Sequence, residues 1–142
     1  MASRETAPCL PASDRRNAPT ILLVDDEAEI LPEYQELLEL EGFSAITTCD
    51  PCEVCALVQL YPSIAVIVTD LKMAGLDGAH LIDLLRRTIG TSRQLSFIVM
   101  TGDASCDATQ RLQGVPVLLK PIDLDQFMTA IRTALASPAP CT

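Results

Sequence analysis

The stretch "ILLVDDEAEI", residues 21–30, sets four apolar residues directly against two adjacent carboxylates, Asp25 and Asp26, with a third acid at Glu27. An unbroken run of Ile, Leu, Leu and Val is the pattern of a strand buried on both faces. Two like charges at the end of such a strand repel each other. They therefore need a positive partner where the strand stops, or at least water.

Outward from this point, short β-rich runs alternate with longer segments of helical spacing. The strands are expected at "TILLV" (20–24), "FSAITT" (43–48), "IAVIVT" (64–69), "SFIVMT" (96–101) and "VPVLL" (115–119). Ile30, Tyr34, Leu37, Leu38 and Glu41 follow helical spacing, with Pro32 admissible only in a first turn. Leu81, Ile82, Leu85 and Ile89 make a second apolar face, and Leu124, Phe127, Met128, Ile131 and Leu135 a third. Asp50-Pro51 and Asp123 with Gln126 read as helix starts, and "EGF" and "YPS" as helix ends. Weaker helical patterns cover 51–60 and 104–112. Five βα units joined by short connections predict an α/β fold with a doubly wound parallel sheet, helices covering both faces.

Ligands of such sheets sit beyond the carboxyl ends of the strands. The residues at those ends are polar: Asp25 and Asp26 after the first strand, Asp70 after the third, Thr101 at the end of the fourth, Lys120 and Pro121 after the fifth. Three carboxylates meeting in one crevice call for a positive charge, and a hard divalent cation such as Mg²⁺, with Lys120 beside it, meets the need. A carboxylate held by a metal, an ammonium and a hydroxyl is suited to accept a phosphoryl group.

Composition limits the alternatives. The chain has 142 residues, the size of one domain, with 49% apolar residues, 4% aromatics and no Trp, so the core must be aliphatic. A net charge of -9 with only 10 Lys and Arg argues against direct binding of nucleic acid. The basic pairs are Arg15-Arg16 and Arg86-Arg87. Residues 1–19 and 137–142 are Pro/Ala-rich, without periodicity, and are expected to be flexible arms around a domain at 20–136. The N-terminal segment lacks the apolar centre of a secretion signal, and no apolar run reaches the ~20 residues needed to cross a bilayer. A cytoplasmic protein with reduced cysteines and no membrane contact is expected.

The sequence resembles the receiver domain of the two-component response-regulator family, the CheY-like fold. "VDDE" resembles the family's acidic pair, "VTDLKMAGLDG" its phosphoacceptor loop, "VMTGD" its fourth strand with a hydroxyl, and "LLKPID" its Lys-Pro. The likeness covers about 20–136. It implies a flavodoxin-like (βα)5 fold with strand order 2-1-3-4-5. Asp70 would be the phosphoacceptor, Asp26 the direct Mg²⁺ ligand and Asp25 the holder of a metal-bound water, with the backbone carbonyl of Lys72 as a further ligand. Thr101 would bond a phosphoryl oxygen, Gly102 would leave room for it, and Lys120 would pair with the phosphate. A cis bond is implied between Lys120 and Pro121.

The implied function is that of a phosphorelay receiver rather than an enzyme acting on other molecules. A sensor histidine kinase or histidine phosphotransfer protein would donate, and a downstream protein would read the face formed by the helix at 104–112, the fifth strand and the last helix. With only arms outside the domain, no output module is expected. Two positions depart from the family's pattern: Ala74, where Pro is frequent, and Val117, where many members carry the Tyr or Phe that reports phosphorylation.

Other readings exist. A receiver fold that is never phosphorylated could serve as a constitutive interaction module. Cys49, Cys52 and Cys55, in "CDPCEVC", have spacing that can suit a metal or redox site, but a closed metal site wants four ligands and Cys9, Cys106 and Cys141 are distant. The plainer reading packs Cys52 and Cys55 as small hydrophobes. His80, the only histidine, is expected on a helix surface. A dinucleotide-binding enzyme is disfavoured, since no Gly-rich turn comes after the first strand.

Overall fold

A computed structural model describes residues 19–73, 75–90, 93–102, 112 and 114–136. The arms, most of the 104–112 segment, Ala74, Cys9, Cys106 and Cys141 lie outside the described residues. Five strands, β1 (Thr20–Val24), β2 (Ser44–Thr48), β3 (Ile64–Asp70), β4 (Ser96–Thr101) and β5 (Val117–Leu119), form one parallel sheet in the order β2-β1-β3-β4-β5. The described helices are α1 (Leu31–Leu40), α2 (Val54–Leu60), α3 (Gly78–Ile89) and α4 (Leu124–Ala136). Short 3-10 turns, Ala28–Ile30 and Pro51–Glu53, lead into α1 and α2.

The middles of the central strands are apolar because helices cover both faces. Successive residues of β1 alternate between two cores. Leu22 and Val24 join Ile67, Val99 and the apolar sides of α2 and α3, including Val58, Leu81 and Leu85. Ile21 and Leu23 join Val66, Val68, Ile98 and Met100 against Leu31 and Leu38 of α1 and Phe127, Met128 and Ile131 of α4. Tyr34 and Phe127 rings meet across α1 and α4 with centroids 5.3 Å apart.

Local chemistry sets most boundaries. Pro32 sits in the first turn of α1, where its missing N–H costs nothing. Gly42 ends that helix with φ +94°, a conformation that other residues adopt rarely. Asp50 and Asp77 cap α2's leading turn and α3, accepting from Cys52 N–H at 2.9 Å and His80 N–H at 2.8 Å. Asp123 does the same for α4 through Asp125 N–H at 3.2 Å.

Several expectations need correction. β5 begins at Val117 rather than Val115 because Pro116 has no N–H for the ladder, although its carbonyl still accepts from Val99 N–H at 2.9 Å. β2 starts one residue later than expected, and β3 continues through Asp70. Leu124 is 45% exposed instead of joining the core face of α4; it stands in the first turn, at the lip of a groove between α1 and α4 that Leu37, Leu40 and Met128 also line. Cys52 is exposed, and only Cys55 packs partly against the core.

Arg93, which the sequence pattern did not single out, holds the end of α2. Its guanidinium donates to the carbonyls of Val58, Tyr61 (3.3 Å), Pro62 (3.1 Å) and Ile64 (2.8 Å). Helix C-terminal carbonyls lack partners within the helix, and a five-donor fork can satisfy several of them together.

Candidate functional site

The strands end nearly level. Val24 pairs with Thr48 on one side and Thr69 on the other, and Asp70 pairs with Met100. The residues just beyond are thereby delivered to one edge. Asp25 is fully buried: its N–H donates to the carbonyl of Thr48 at 3.2 Å, its Oδ1 accepts from Glu27 N–H at 2.9 Å, and its Oδ2 lies 3.4 Å from Lys120 Nζ. Asp70, the last residue of β3, is buried and places Oδ2 3.3 Å from the same ammonium. Asp26 is exposed at the rim. One oxygen from each of the three acids lies within 4.8 Å of the others.

Lys120 is set in place by the sheet. Its N–H donates to the carbonyl of Thr101 at 2.8 Å, which ties the end of β5 to the end of β4, and its bond to Pro121 is cis. Thr101 is buried at the tip of β4. Behind Asp70, Leu71 N–H donates to the carbonyl of Met100 at 2.8 Å, and Gly78 N–H to the carbonyl of Leu71 at 2.7 Å. The start of α3 thus presses on the end of β3. A Cβ at Gly78 would stand 2.7 Å from the Asp70 carbonyl oxygen and 3.1 Å from Leu71 Cα, so only glycine fits there.

The electrostatics derive from burial and proximity. Burial lifts the Asp70 carboxyl above its ordinary range, and the charges of Asp25 and Asp26 add to the lift, while Lys120 opposes it. For Lys120, burial alone would favour the neutral amine, but the carboxylates of Asp70 and Asp25 outweigh it and hold the ammonium charged to higher pH. Three carboxylates gather at this edge, with the Lys120 ammonium between Asp25 and Asp70. The donors facing it are carboxylate oxygens, the set preferred by Mg²⁺ and other hard cations over thiophilic metals. The residues fit such an ion.

The family model described as the response regulator receiver domain matches residues 21–132. The chain belongs to that family. The receiver domain is 31% identical over 83 residues to the two-component response regulator PprB of Pseudomonas aeruginosa, covering 58% of this chain and 30% of that protein. It is 29% identical over 121 residues to the C4-dicarboxylate transport transcriptional regulatory protein DctD of Rhizobium meliloti, covering 82% of this chain and 25% of that protein. The chain therefore spans less than a third of these curated relatives. Among solved structures, a response regulator receiver protein from Pseudomonas putida is similar with a TM-score of 0.75 at 28% identity, covering 82% of this chain and 97% of that one. A receiver domain protein from Clostridium thermocellum gives 0.73 at 28%, covering 83% and 94%.

The other candidate residues of the receiver domain lie around this edge and beyond it. Lys72 is exposed in the bend after β3. Gly102 comes directly after Thr101, and a Cβ there would meet nothing within 4 Å, so packing does not demand glycine. His80 is on the surface, as expected, with Nδ1 2.9 Å from Asp77 Oδ1. Val117 lies half-buried in β5, beside an exposed Leu119. Among the described residues no helix is long and apolar enough to cross a membrane. Sequence pattern assigned no role to Gly78 or Arg93. Gly78 could have been noticed from its place eight residues after Asp70, whereas nothing near Arg93 signals its contacts.

Proposed function

We propose that Asp70 accepts a phosphoryl group from a phosphohistidine of a sensor histidine kinase or histidine phosphotransfer protein. The observation that carries this reading is the ammonium of Lys120, within 3.4 Å of both Asp25 and Asp70 at the edge where three acids gather. The Asp70 carboxylate would attack phosphorus as the histidine N–P bond breaks, giving an acyl phosphate and a free imidazole that takes up a proton. Asp26, Asp70 and the Lys72 carbonyl would hold Mg²⁺ directly and Asp25 through water, and the ion when bound supplies charge neutralisation for the incoming phosphoryl oxygens. Asp25 suits the indirect role because both its oxygens already have partners.

Lys120 keeps its proton and pairs with the phosphoryl group once Asp70 is phosphorylated. Thr101 donates its hydroxyl to a phosphoryl oxygen, and the open space at Gly102 accommodates that oxygen. Pro121 sets the direction of the chain leaving Lys120. Water removes the phosphoryl group slowly, and the chain catalyses nothing else.

The domain spans 20–136, works in the cytoplasm and passes its signal by contact with a downstream protein, without touching nucleic acid or membrane. Val117 has no ring to rotate, so the report of phosphorylation runs through the Thr101 loop and the β5 backbone tied to it. Incubation with acetyl phosphate and Mg²⁺ followed by mass spectrometry tests the reading. One added phosphoryl group on the wild type and none on Asp70→Asn is expected; labelling that survives Asp70→Asn refutes it, and no labelling at all favours a constitutive interaction module.

A further inference from the structure

Cys49, Cys52 and Cys55 come after β2 at intervals of three, and the acidic site uses none of them. Cys49 and Cys52 are exposed, while Cys55 is half-buried beside the core under α2. Among the described residues the three-donor cluster is made of acids alone, so these thiols form no ready metal cage. Their placement suits a different chemistry.

The chain is helical without interruption from Pro51 to Cys55, a 3-10 turn running straight into α2. Cys52 and Cys55 are therefore neighbours on one face, with Cβ atoms ~5–6 Å apart in a regular helix. A disulfide needs them at ~3.5–4.5 Å. The first turn must tighten or unwind by about 1–2 Å for the bond to form.

A short polar chain leading back to the acidic cluster holds that turn. Asp50 Oδ1 accepts from Cys52 N–H at 2.9 Å, and Asp50 N–H donates to Thr48 Oγ1 at 3.1 Å. The Thr48 hydroxyl donates to Glu53 Oε1 at 2.8 Å. The carbonyl of the same Thr48 accepts from Asp25 N–H at 3.2 Å. A covalent change between Cys52 and Cys55 thus reaches the backbone of Asp25 through two residues, Asp50 and Thr48.

We propose that Cys52 and Cys55 are a dithiol oxidised by hydroperoxides, and that its closure loosens the Asp50 cap and, through Thr48, the backbone of Asp25. The exposed Cys52 sulfur attacks the peroxide, the O–O bond breaks, and a sulfenic acid and one water result. The Cys55 sulfur then displaces the sulfenic oxygen as a second water, forming the S–S bond. Two thiols lose two electrons and two protons, and one hydrogen peroxide is reduced to two waters. A dithiol reductant reverses the bond. This goes beyond the phosphoacceptor reading and does not depend on it.

The reduced full chain is treated with hydrogen peroxide, alkylated and cut by a Glu-specific protease, which cleaves after Glu53, between the two cysteines. The fragments ending at Glu53 and beginning at Val54 are expected to stay joined, lighter by two hydrogens, through a bond that tandem fragmentation places between Cys52 and Cys55 rather than at Cys49, Cys106 or Cys141, and to separate on reduction. Cys55→Ser, with Cys55→Ala as a second variant, is expected to stop at a sulfenic acid on Cys52 that dimedone traps. In the linked protein the Asp25 amide is expected to exchange about 2- to 10-fold faster, the worth of one hydrogen bond. Linkage of Cys52 to Cys49 or to another chain, irreversible oxidation of Cys52 without a link, or an unchanged Asp25 amide in the linked protein overturns the proposal.

Discussion

Replacing Gly78 with alanine drives a methyl group into the backbone of Asp70. The added carbon would stand 2.7 Å from the Asp70 carbonyl oxygen, about 0.7 Å inside the distance at which ordinary contact begins, with Leu71 Cα at 3.1 Å and Thr69 Cγ2 at 3.3 Å. None of these atoms is the free end of a flexible side chain. Either the start of α3 lifts away, stretching the 2.7 Å bond from Gly78 N–H to the Leu71 carbonyl, or the end of β3 shifts.

Overpacking of this kind costs ~1–3 kcal/mol. Alanine returns up to ~1 kcal/mol through helix propensity and a less flexible unfolded chain. A net loss of about 1–2 kcal/mol is expected, lowering the melting temperature by roughly 3–10 °C in a domain of this size. Gly102→Ala is the matched control: with nothing within 4 Å and no positive φ, its stability should stay within ~0.5 kcal/mol of the wild type. Denaturant titration of both variants measures the difference. A Gly78→Ala protein as stable as the wild type, or more so, would refute the steric reasoning, because only the gain from alanine would then be operating.

Without Mg²⁺, Asp70→Asn is expected to stabilise the fold, and increasingly so as pH rises. The Asp70 carboxyl titrates higher in the fold than in the unfolded chain, so its favourable contribution is complete below its unfolded pKa of ~3.9 and is lost as pH climbs through the folded value. Equal stability of the two proteins from pH 4 to 8 would contradict this. Lys120→Met removes the ammonium that pairs with a fully buried Asp25, with an expected cost of ~1–3 kcal/mol; a double-mutant cycle with Asp70→Asn should give coupling of ~0.5–3 kcal/mol, and strict additivity would dismiss the contact. Arg93→Lys should lose ~1–3 kcal/mol, because a single ammonium cannot reach four carbonyls spread from Val58 to Ile64; wild-type stability in thermal melts would show that the fork is unnecessary. Phe127→Ala empties the contact between α1 and α4 at a cost of ~3–5 kcal/mol, measured by the same melts.

The strands were legible because a parallel sheet covered on both faces writes itself as continuous apolar runs, and β1 and β4 begin and end where "TILLV" and "SFIVMT" do. The order of those strands was not in the runs. Alternating β and α segments imply parallel neighbours, but which strand lies in the middle came from the likeness to a family. β5 is shorter than its apolar run suggests, because apolar content on both sides of Pro116 hides the loss of a donor. Leu124 has the right period yet sits too early in α4 to be covered, and periodicity cannot tell where a neighbouring helix stops. At the site, strand ends put Asp25, Asp26, Asp70 and Lys120 on one edge of the sheet, and the strand order brings them together there. The division between a buried Asp25 and an exposed Asp26 is not set by strand ends, since it depends on which side chain turns toward Lys120.

The bond from Lys120 N–H to the Thr101 carbonyl has a consequence for how this edge could be altered. It couples the backbones that carry the ammonium and the hydroxyl, each mounted on a strand end that the other braces. Lengthening the connection between β4 and β5 would leave both side chains chemically intact and could still carry them out of reach of Asp70 together. The approach to β5 is fixed as well, because Leu112 and Val115 are buried in the core and the Pro116 carbonyl accepts from Val99 N–H. The gauge between two neighbouring strands is thus a quantity the site depends on, alongside the identity of its side chains.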